Sequence, residues 1–258
     1  MELSAKDQRV VVTAGGSGIG RAIAEVFYAA GARVHICDVD DVFLADARAK
    51  LPGLGATLAD VGIASDVDRL FDEALAAMGG LDVLVNNAGI AGPTARAEDT
   101  SPADWDRVIA VNLSGMFYGC RRAIPQMKSA GGGLIVNISS TSGKTGLPLR
   151  VAYAVSKHAV MGLTETLARE VGPDNIRVNT ILPGWMNNER GRRVATAKSA
   201  ALGIPLEEFV KRESEFISLR TMIEPDEIGH MALFLASGLG RHISGQHIGV
   251  CGNVEYER

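Results

Sequence analysis

Short apolar runs alternate with longer amphipathic stretches along most of the chain. A run of apolar or β-branched residues closed by glycine, asparagine or aspartate indicates a buried strand, whereas apolar positions three or four residues apart indicate a helix. The predicted strands are 9–13, 33–37, 56–59, 81–85, 133–138, 176–182 and 247–250. The predicted helices are 21–30, 66–78, 105–128, 151–168 and 225–237. This alternation predicts one α/β domain over residues 1–258, with a doubly wound parallel sheet of about seven strands.

The first predicted strand runs into a glycine-rich loop, Ala-Gly-Gly-Ser-Gly-Ile-Gly at residues 14–20, and then into a helix. Backbone N–H groups at the start of a helix can bind a pyrophosphate, and glycine lets the phosphate approach the backbone closely. A plain tight turn is the alternative interpretation. The position of the loop between a strand and a helix favours a dinucleotide site.

An aspartate, Asp38, ends the second predicted strand about 20 positions after the loop. A carboxylate in that place can accept hydrogen bonds from the hydroxyls of an adenosine ribose. It would also repel a 2′-phosphate, and Asp40 and Asp41 add to that repulsion. Although an ordinary aspartate in a turn would look the same, the loop upstream favours NAD over NADP.

A tyrosine and a lysine lie four residues apart in the predicted helix 151–168, so that Tyr153 and Lys157 leave the same helix face. A phenol is a poor base at neutral pH, but a nearby ammonium favours its phenolate. Tyr153 is therefore a candidate for exchanging a proton with an alcohol or a carbonyl oxygen. A tyrosine and a lysine at this spacing more often form a surface pair on an amphipathic helix. A catalytic role for Tyr153 therefore needs support from other motifs in the chain.

Further polar residues follow other strands of the predicted sheet. A carboxylate at Asp60, beside Val61, could meet an adenine amino group, and the small residues 86–89 would let the chain pass close to a cofactor or form a simple turn. Asn112 stands in an apolar helical run, where a buried amide needs hydrogen-bond partners. The hydroxyl residues 139–142 should lie at the same sheet edge as the glycine loop, because ligands bind at the carboxyl ends of parallel strands.

The alternation breaks between about 185 and 224, where two helices are predicted at 189–201 and 206–216. An excursion of this size after a strand is a candidate lid over a pocket. The segment is also locally basic. Its cations could mark an anionic substrate, but a solvated helix face is the favoured interpretation. They are Arg190, Arg192, Arg193, Lys198, Lys211 and Arg212.

The composition excludes several classes of protein. A net charge of −4 argues against a nucleic-acid-binding protein, which would show a basic stripe. The charged N-terminus is no signal peptide, and no run of 18 apolar residues predicts a membrane span. The three cysteines, Cys37, Cys120 and Cys251, have neither disulfide-framework nor metal-ligand spacing. We expect a cytoplasmic protein with reduced thiols and no metal.

Together these motifs resemble the short-chain dehydrogenase/reductase family over essentially the whole chain. The sequence TAGGSGIG at 13–20 corresponds to the family pattern TGxxxGxG, and NNAG follows at 86–89. An asparagine at 112, a serine at 140, YxxxK at 153–157 and Pro-Gly at 183–184 complete the set in the family order. The resemblance implies a Rossmann fold.

The resemblance also implies a role for each matching residue. The implied catalytic residues are Asn112, Ser140, Tyr153 and Lys157. Ser140 would bind the substrate oxygen, Tyr153 would move the proton, Lys157 would lower the tyrosine pKa and bind the nicotinamide ribose, and Asn112 would hold a water. The implied cofactor-binding residues are Gly15, Ser17, Gly18, Ile19, Gly20, Asp38, Asp60, Val61, Asn87, Ala88, Gly89, Tyr153, Lys157, Pro183, Gly184 and Met186. Such enzymes are commonly homotetramers built through helices equivalent to 105–128 and 151–171.

Three positions depart from the family pattern. Ala14 replaces the usual first glycine, where its methyl group adds little volume. Asn188 replaces the threonine that contacts the nicotinamide carboxamide, and Val250-Cys251-Gly252-Asn253 replaces the common VDGG. None of these changes removes an implied catalytic group.

The sequence thus predicts an oxidoreductase that interconverts a secondary alcohol and a ketone with NAD(H), with no nucleic-acid or membrane partner. One alternative is an NADPH-dependent enzyme like the 3-oxoacyl-carrier-protein reductases. A non-enzymatic dinucleotide-binding protein on the same fold is the other alternative, because fold does not fix function. The substrate remains open among sugars, hydroxy acids, steroid-like compounds and acyl compounds.

Overall fold

A seven-stranded sheet forms the centre of the molecule in the computed structural model, which describes residues 3–254. The strands are Arg9–Thr13 (β1), Arg33–Asp38 (β2), Gly55–Leu58 (β3), Val83–Asn86 (β4), Gly133–Ile138 (β5), Ile176–Pro183 (β6) and His247–Val250 (β7). Their order is β3-β2-β1-β4-β5-β6-β7, and every neighbouring pair is parallel. This arrangement confirms the predicted doubly wound sheet. The order reverses direction between β1 and β4, where such sheets open a crevice for ligands.

Helices cover both faces of the sheet. They are Gly18–Ala29 (α1), Asp41–Lys50 (α2), Ala64–Met78 (α3), Pro102–Ile109 (α4), Gly115–Ala130 (α5), Val151–Val171 (α6), Glu189–Leu202 (α7), Leu206–Glu215 (α8) and Pro225–Ala236 (α9). Two apolar cores result, because successive residues of a strand point to opposite faces. Val10 of β1 packs in the core with α1 and α9, whereas Val11 packs in the core with α3, α5 and α6.

One helix of this fold is missing from the sequence prediction. Helix α2 buries only Leu44 and Ala47, so its apolar pattern is too sparse to predict it. The side chain of Asp40 caps it by accepting a hydrogen bond from the N–H of Val42 at 2.8 Å. One capping residue and two buried apolar residues are too few to predict a helix from sequence. They suffice to hold α2 in place once the neighbouring strands have formed.

The predicted helix 105–128 is wrong in one respect, because it is not a uniform α-helix. It begins at Pro102 as α4, passes through a π-helical turn at Ala110–Ser114 and continues as α5. A π-turn inserts one extra residue and rotates the side chains that follow it, and such turns are frequent at functional sites. The turn contains Asn112, whose side chain is fully buried.

None of the three cysteines forms a disulfide. Cys37 and Cys120 are buried, and burial raises the pKa of each thiol to about 12. Within residues 3–254, no three His, Cys, Asp or Glu side chains gather closely enough to hold a metal ion. No helix in that part of the chain is both long and apolar enough to cross a membrane.

Candidate active site

The glycine loop connects β1 to the start of α1, as predicted. A methyl group on Gly20 would lie 2.0 Å from the carbonyl oxygen of Ala14, so only glycine lets the helix start so close to the strand. Gly18 has a φ of +55° and open space where a side chain would be. Ser17 precedes α1 and gives it no side-chain cap, which leaves the first-turn N–H groups directed at that open space. An anionic phosphate fits this arrangement.

Ala14 shows why glycine is usual at its position. Its φ is +50°, in the left-handed region where a Cβ costs about 1 kcal/mol or more. The departure from the family pattern therefore affects backbone strain more than volume. The loop keeps its shape because the side-chain amide of Asn87 donates to the carbonyls of Thr13 at 3.0 Å and Ala14 at 3.2 Å.

Asp38 ends β2 beside the loop and is buried, with only 8% of its surface exposed. Its carboxylate accepts hydrogen bonds from the N–H groups of Gly16 at 3.1 Å and Val39 at 2.8 Å. Burial raises the pKa of this carboxyl group, and the hydrogen bond from Gly16 opposes that effect. The carboxylate is thus fixed at the mouth of the loop, where the sequence predicted a ribose-binding group.

Asp60 is engaged by the protein itself. One carboxylate oxygen accepts from Arg107 at 2.7 Å and the other from the N–H of Gly62 at 2.9 Å. Its neighbour Val61 is buried against Gly115 at the start of α5. Each oxygen can still accept a second hydrogen bond, so contact between Asp60 and an adenine stays a prediction.

Asn112 links three parts of the site. Its side-chain amide donates to the carbonyl of Ile90 at 3.0 Å and to the hydroxyl of Ser156 at 3.1 Å, while its oxygen accepts from the N–H of Ile90 at 2.7 Å. A Cβ placed on Gly89 would lie 3.4 Å from both Asn112 Oδ1 and Lys157 Nζ. The π-turn therefore places Asn112 and Lys157 around the same point beside Gly89, where a methyl group would just touch both of them.

The two serines after β5 have different surroundings. Ser139 is buried, and its hydroxyl donates to the backbone carbonyl of Lys157 at 2.8 Å. Ser140 is half-buried, and its oxygen accepts the N–H of Ser142 at 3.2 Å. The Ser140 proton is thus available to a substrate oxygen, whereas Ser139 holds helix α6 against the strand. The role that the family resemblance implies for Ser140, binding of the substrate oxygen, stays a prediction.

Tyr153 and Lys157 project from α6 toward the same sheet edge. The Lys157 ammonium lies 5.8 Å from the centre of the Tyr153 ring and donates to the carbonyl of Ile138 at 2.9 Å. Lys157 is buried, which lowers its pKa to about 7, and the positive charge of Arg190 contributes to that decrease. The side chain consequently exchanges its proton near neutral pH, and its charged form is the one that stabilises a phenolate.

The segment after β6 closes the other side of the crevice. A Cβ on Gly184 would lie 2.7 Å from the Cα of Cys251, so the altered sequence near the C-terminus packs directly against the predicted carboxamide site beside Pro183. Met186 is buried and bridges to Ile223. Asn188 does not merely replace a threonine, because its side chain caps α7 by accepting the N–H of Gly191 at 2.7 Å.

Two arginines make contacts at the site that the sequence alone did not indicate. Arg150 is 4% exposed, and its guanidinium carbon lies 5.2 Å from the centre of the Tyr153 ring. Arg190 is exposed, but its side chain reaches back from α7 and donates to the carbonyl of Gly89 at 2.7 Å. The favoured interpretation of Arg190 as part of a solvated helix face therefore misses its contact with the site, which only the fold of the 185–224 segment creates.

Comparison with known proteins agrees with this geometry. A family model described as enoyl-(acyl carrier protein) reductase matches residues 13–253. A probable galactose dehydrogenase of Rhizobium meliloti is 37% identical over 254 residues, which cover 96% of this chain and 95% of that protein.

Solved structures share the whole fold. A xylitol dehydrogenase bound to NAD+ superposes with a TM-score of 0.92 at 28% identity, covering 96% of this chain and 98% of the other. An actinorhodin polyketide ketoreductase with NADPH gives a TM-score of 0.91 at 29% identity, over 96% and 98% of the two chains. The open glycine loop fits the pyrophosphate that the nicotinamide dinucleotides of both proteins carry. With its loop, its YxxxK helix and its matches over nearly the whole length, the chain belongs to the short-chain dehydrogenase/reductase family of oxidoreductases.

Proposed function

We propose that the protein is an NAD-dependent dehydrogenase that interconverts a secondary alcohol and a ketone. The observation that carries this proposal is that Lys157 lies beside Gly89 and 5.8 Å from the centre of the Tyr153 ring, on a helix to which Ser139, the neighbour of Ser140, is hydrogen-bonded. A protein that only binds a dinucleotide has no use for a phenol, an ammonium and a free hydroxyl in one place.

Each side chain has a role that its contacts support. The Ser140 hydroxyl donates to the substrate oxygen, and the Tyr153 phenolate removes the hydroxyl proton in the oxidation direction. Charged Lys157 stabilises that phenolate, while Asn112 fixes the Gly89–Ile90 loop against α6 through its bonds to Ile90 and Ser156. A bound nicotinamide dinucleotide supplies the acceptor for the hydride from the carbinol carbon. Gly15, Ser17, Ile19, Gly20, Ala88 and the other residues of the loop edge would hold it.

A panel of secondary alcohols with NAD tests the proposal directly. The panel contains galactose and xylitol, which the names of similar proteins suggest, together with small hydroxy acids and simple alcohols. We expect NADH absorbance to rise with at least one of them and the corresponding ketone to be recovered as product. Turnover confined to acyl thioesters with NADPH would instead indicate a 3-oxoacyl reductase, and no turnover at all would leave only dinucleotide binding.

Asp38 predicts the cofactor preference. Its buried carboxylate would face a 2′-phosphate, and no lysine or arginine among residues 3–254 forms an ion pair with it, so we expect kcat/KM for NADP to be at least about a hundredfold below that for NAD. Asp38→Asn keeps the shape of the side chain and removes its charge. It should lower the ratio of kcat/KM for NAD to kcat/KM for NADP about tenfold or more. The measurement is steady-state kinetics with both cofactors.

The matched control for that experiment is Asp99→Asn, which removes one negative charge from a short helical turn at Ala97–Asp99. It should leave the NAD-to-NADP ratio unchanged. An equal preference for the two cofactors in the unmodified protein would contradict the role given to Asp38.

We further propose a cytoplasmic homotetramer built through α5 and α6. Apolar side chains remain exposed on these helices and on the adjoining α4, with Phe117 50% and Val155 43% exposed. Light scattering should therefore give about four times the chain mass of 27.2 kDa. Phe117→Asp should dissociate the assembly, whereas Leu202→Asp, on the exposed surface of α7, should not. A monomeric unmodified protein would contradict this assembly.

A further inference from the structure

Arg150 is buried without a counter-charge. It is the residue before α6, and one guanidinium nitrogen donates to the carbonyl of Ala91 at 2.7 Å. Its Nε is buried and has no hydrogen-bond partner. Among residues 3–254, no carboxylate forms an ion pair with it. A carbonyl oxygen satisfies one N–H group but does not neutralise the charge, so the cation keeps unused donors beside the Tyr153 ring.

Such an arrangement costs free energy unless something compensates for it. Arginine is seldom fully buried without an anionic partner, because a guanidinium removed from water loses most of its solvation. Burial lowers the pKa of Arg150, which reflects this cost, the charge of an ionised Tyr153 opposes the decrease, and the charge of Arg190 adds to it. The contact with the Tyr153 ring at 5.2 Å offsets part of the cost. An anion that enters from the substrate side would offset the remainder.

Two more cations lie around the same space. Arg190 reaches the carbonyl of Gly89 from α7, on the other side of the site from Arg150. Lys198, also on α7, has its pKa lowered by burial and by the charge of Arg150, although Glu213 opposes this. Its ammonium lies 5.8 Å from the ring of Phe209. Neither Arg190 nor Lys198 forms an ion pair within the described chain. Positive charge from the start of α6 and from α7 therefore gathers around Arg150, which contacts the Tyr153 ring.

We propose that the substrate of this dehydrogenase is a small hydroxy acid, whose carboxylate binds Arg150 while its secondary hydroxyl faces Tyr153 and Ser140. This inference rests on the proposed function. The guanidinium plane presents paired N–H donors that match the two oxygens of a carboxylate. Because Arg150 lies against the Tyr153 ring, the carboxylate must be only a few bonds from the reacting carbon.

The reaction is balanced without another reactant. The carbinol C–H bond breaks and its hydride goes to the oxidised nicotinamide ring, while the hydroxyl proton goes to the Tyr153 phenolate. The products are an oxo acid, the reduced dinucleotide and one proton. The carboxylate takes no part in the chemistry, and it serves to orient the substrate.

The first test compares 3-hydroxybutyrate with its uncharged methyl ester, using NAD and the unmodified protein. We expect kcat/KM for the acid to exceed that for the ester by about a hundredfold, as hydrogen bonds to charged groups commonly contribute that much. Glycerol 3-phosphate is assayed in parallel, because a phosphate monoester is the other small anion that three cations could bind. Turnover of the phosphate but not of hydroxy acids would overturn the carboxylate assignment.

The second test uses Arg150→Gln, since glutamine can still donate to the carbonyl of Ala91 but carries no charge. We expect kcat/KM to fall about a hundredfold for 3-hydroxybutyrate and less than about threefold for the ester, with the loss mainly in KM. Arg150→Lys keeps the charge and should recover part of the activity toward the acid. The matched control is Arg193→Gln, because Arg193 is an exposed arginine on α7. It should change kcat/KM for neither the acid nor the ester.

The outcomes separate this inference from the function on which it rests. Equal turnover of acid and ester by the unmodified protein would overturn the inference while leaving the dehydrogenase intact. An equal loss of kcat/KM for the acid and the ester in Arg150→Gln would assign Arg150 a purely structural role. That result would also overturn the inference. If no alcohol of any kind is oxidised, the proposed function itself fails and the inference falls with it.

Discussion

Replacing Tyr153 with phenylalanine is expected to lower kcat about a thousandfold, with little change in the affinity for the dinucleotide. The substitution removes only the hydroxyl, which is the group that would take the substrate proton, and general acid–base groups commonly contribute factors of this size. The ring remains in place between Arg150 and Lys157, so the surrounding packing is preserved. The measurement is steady-state turnover with the best alcohol of the panel, together with a titration of dinucleotide binding.

Tyr28→Phe is the matched control for this substitution. The hydroxyl of Tyr28 donates to the carbonyl of Pro52 at 3.0 Å, at a surface contact of α1. Its loss should leave kcat within about twofold of the unmodified value, because surface changes of this kind seldom exceed 0.5 kcal/mol. If Tyr153→Phe retained most of the turnover, another group would have to move the proton and the assignment of Tyr153 would be wrong.

The second large effect is a gain in stability when Lys157 is replaced by methionine, at the expense of activity. Burial lowers the pKa of Lys157 to about 7 from its ordinary value of 10.5, so the folded protein strongly disfavours the charged side chain. This difference between the pKa of Lys157 in the folded protein and its ordinary value lowers the free energy of unfolding by roughly 4 kcal/mol at neutral pH. Methionine fills a similar volume, and the lost hydrogen bond to Ile138 removes only about 1 kcal/mol of that gain. The expected net stabilisation is on the order of 3 kcal/mol.

The pH dependence of this gain has a definite sign. Between pH 7 and about 10.5 the unfolded chain holds a proton on Lys157 that the folded protein has released. Raising the pH therefore favours folding of the unmodified protein, and its free energy of unfolding increases through this range. The variant lacks the titrating group, so its advantage is greatest at and below pH 7 and shrinks as the pH approaches 10.

Urea unfolding at pH 7 and at pH 9.5 measures this difference. Lys144→Met, which replaces an exposed lysine, is the control and should shift stability by less than about 0.5 kcal/mol at either pH. A destabilised Lys157→Met protein would show that the ammonium is stabilised in the fold by more than its hydrogen bond to Ile138. Activity of the variant should fall by at least tenfold, because the phenolate of Tyr153 loses its nearby positive charge.

The stability effect and the catalytic effect have one cause. Lys157 is useful beside Tyr153 because it can be charged in a place that excludes water, and the same exclusion makes its charge unfavourable for folding. The protein therefore gives up stability at the position where it needs a cation. Arg150 is likewise a buried cation, and no carboxylate of the described chain pairs with it. Its burial therefore points to an anionic ligand.

Much of the fold follows directly from the sequence. The seven strands and most of the helices are visible as apolar runs of fixed period, because burial on both faces of a parallel sheet requires continuous apolar strands. The prediction missed α2, where only Leu44 and Ala47 are buried, because its apolar periodicity is weak. It also missed the π-turn around Asn112, since one inserted residue leaves no distinct mark in a hydrophobic pattern.

The tertiary structure alone decided which polar side chains meet. The sequence determined that Tyr153 and Lys157 share a helix face, since four residues make about one helical turn. It could not show that Arg190 contacts Gly89, 101 positions earlier in the chain, or that Asp60 pairs with Arg107, because such contacts depend on how distant segments fold back. The burial of Arg150 without a counter-charge is likewise a property of the packed chain. Local spacing fixes the direction of a side chain, but only the assembled core fixes its solvation and its partners.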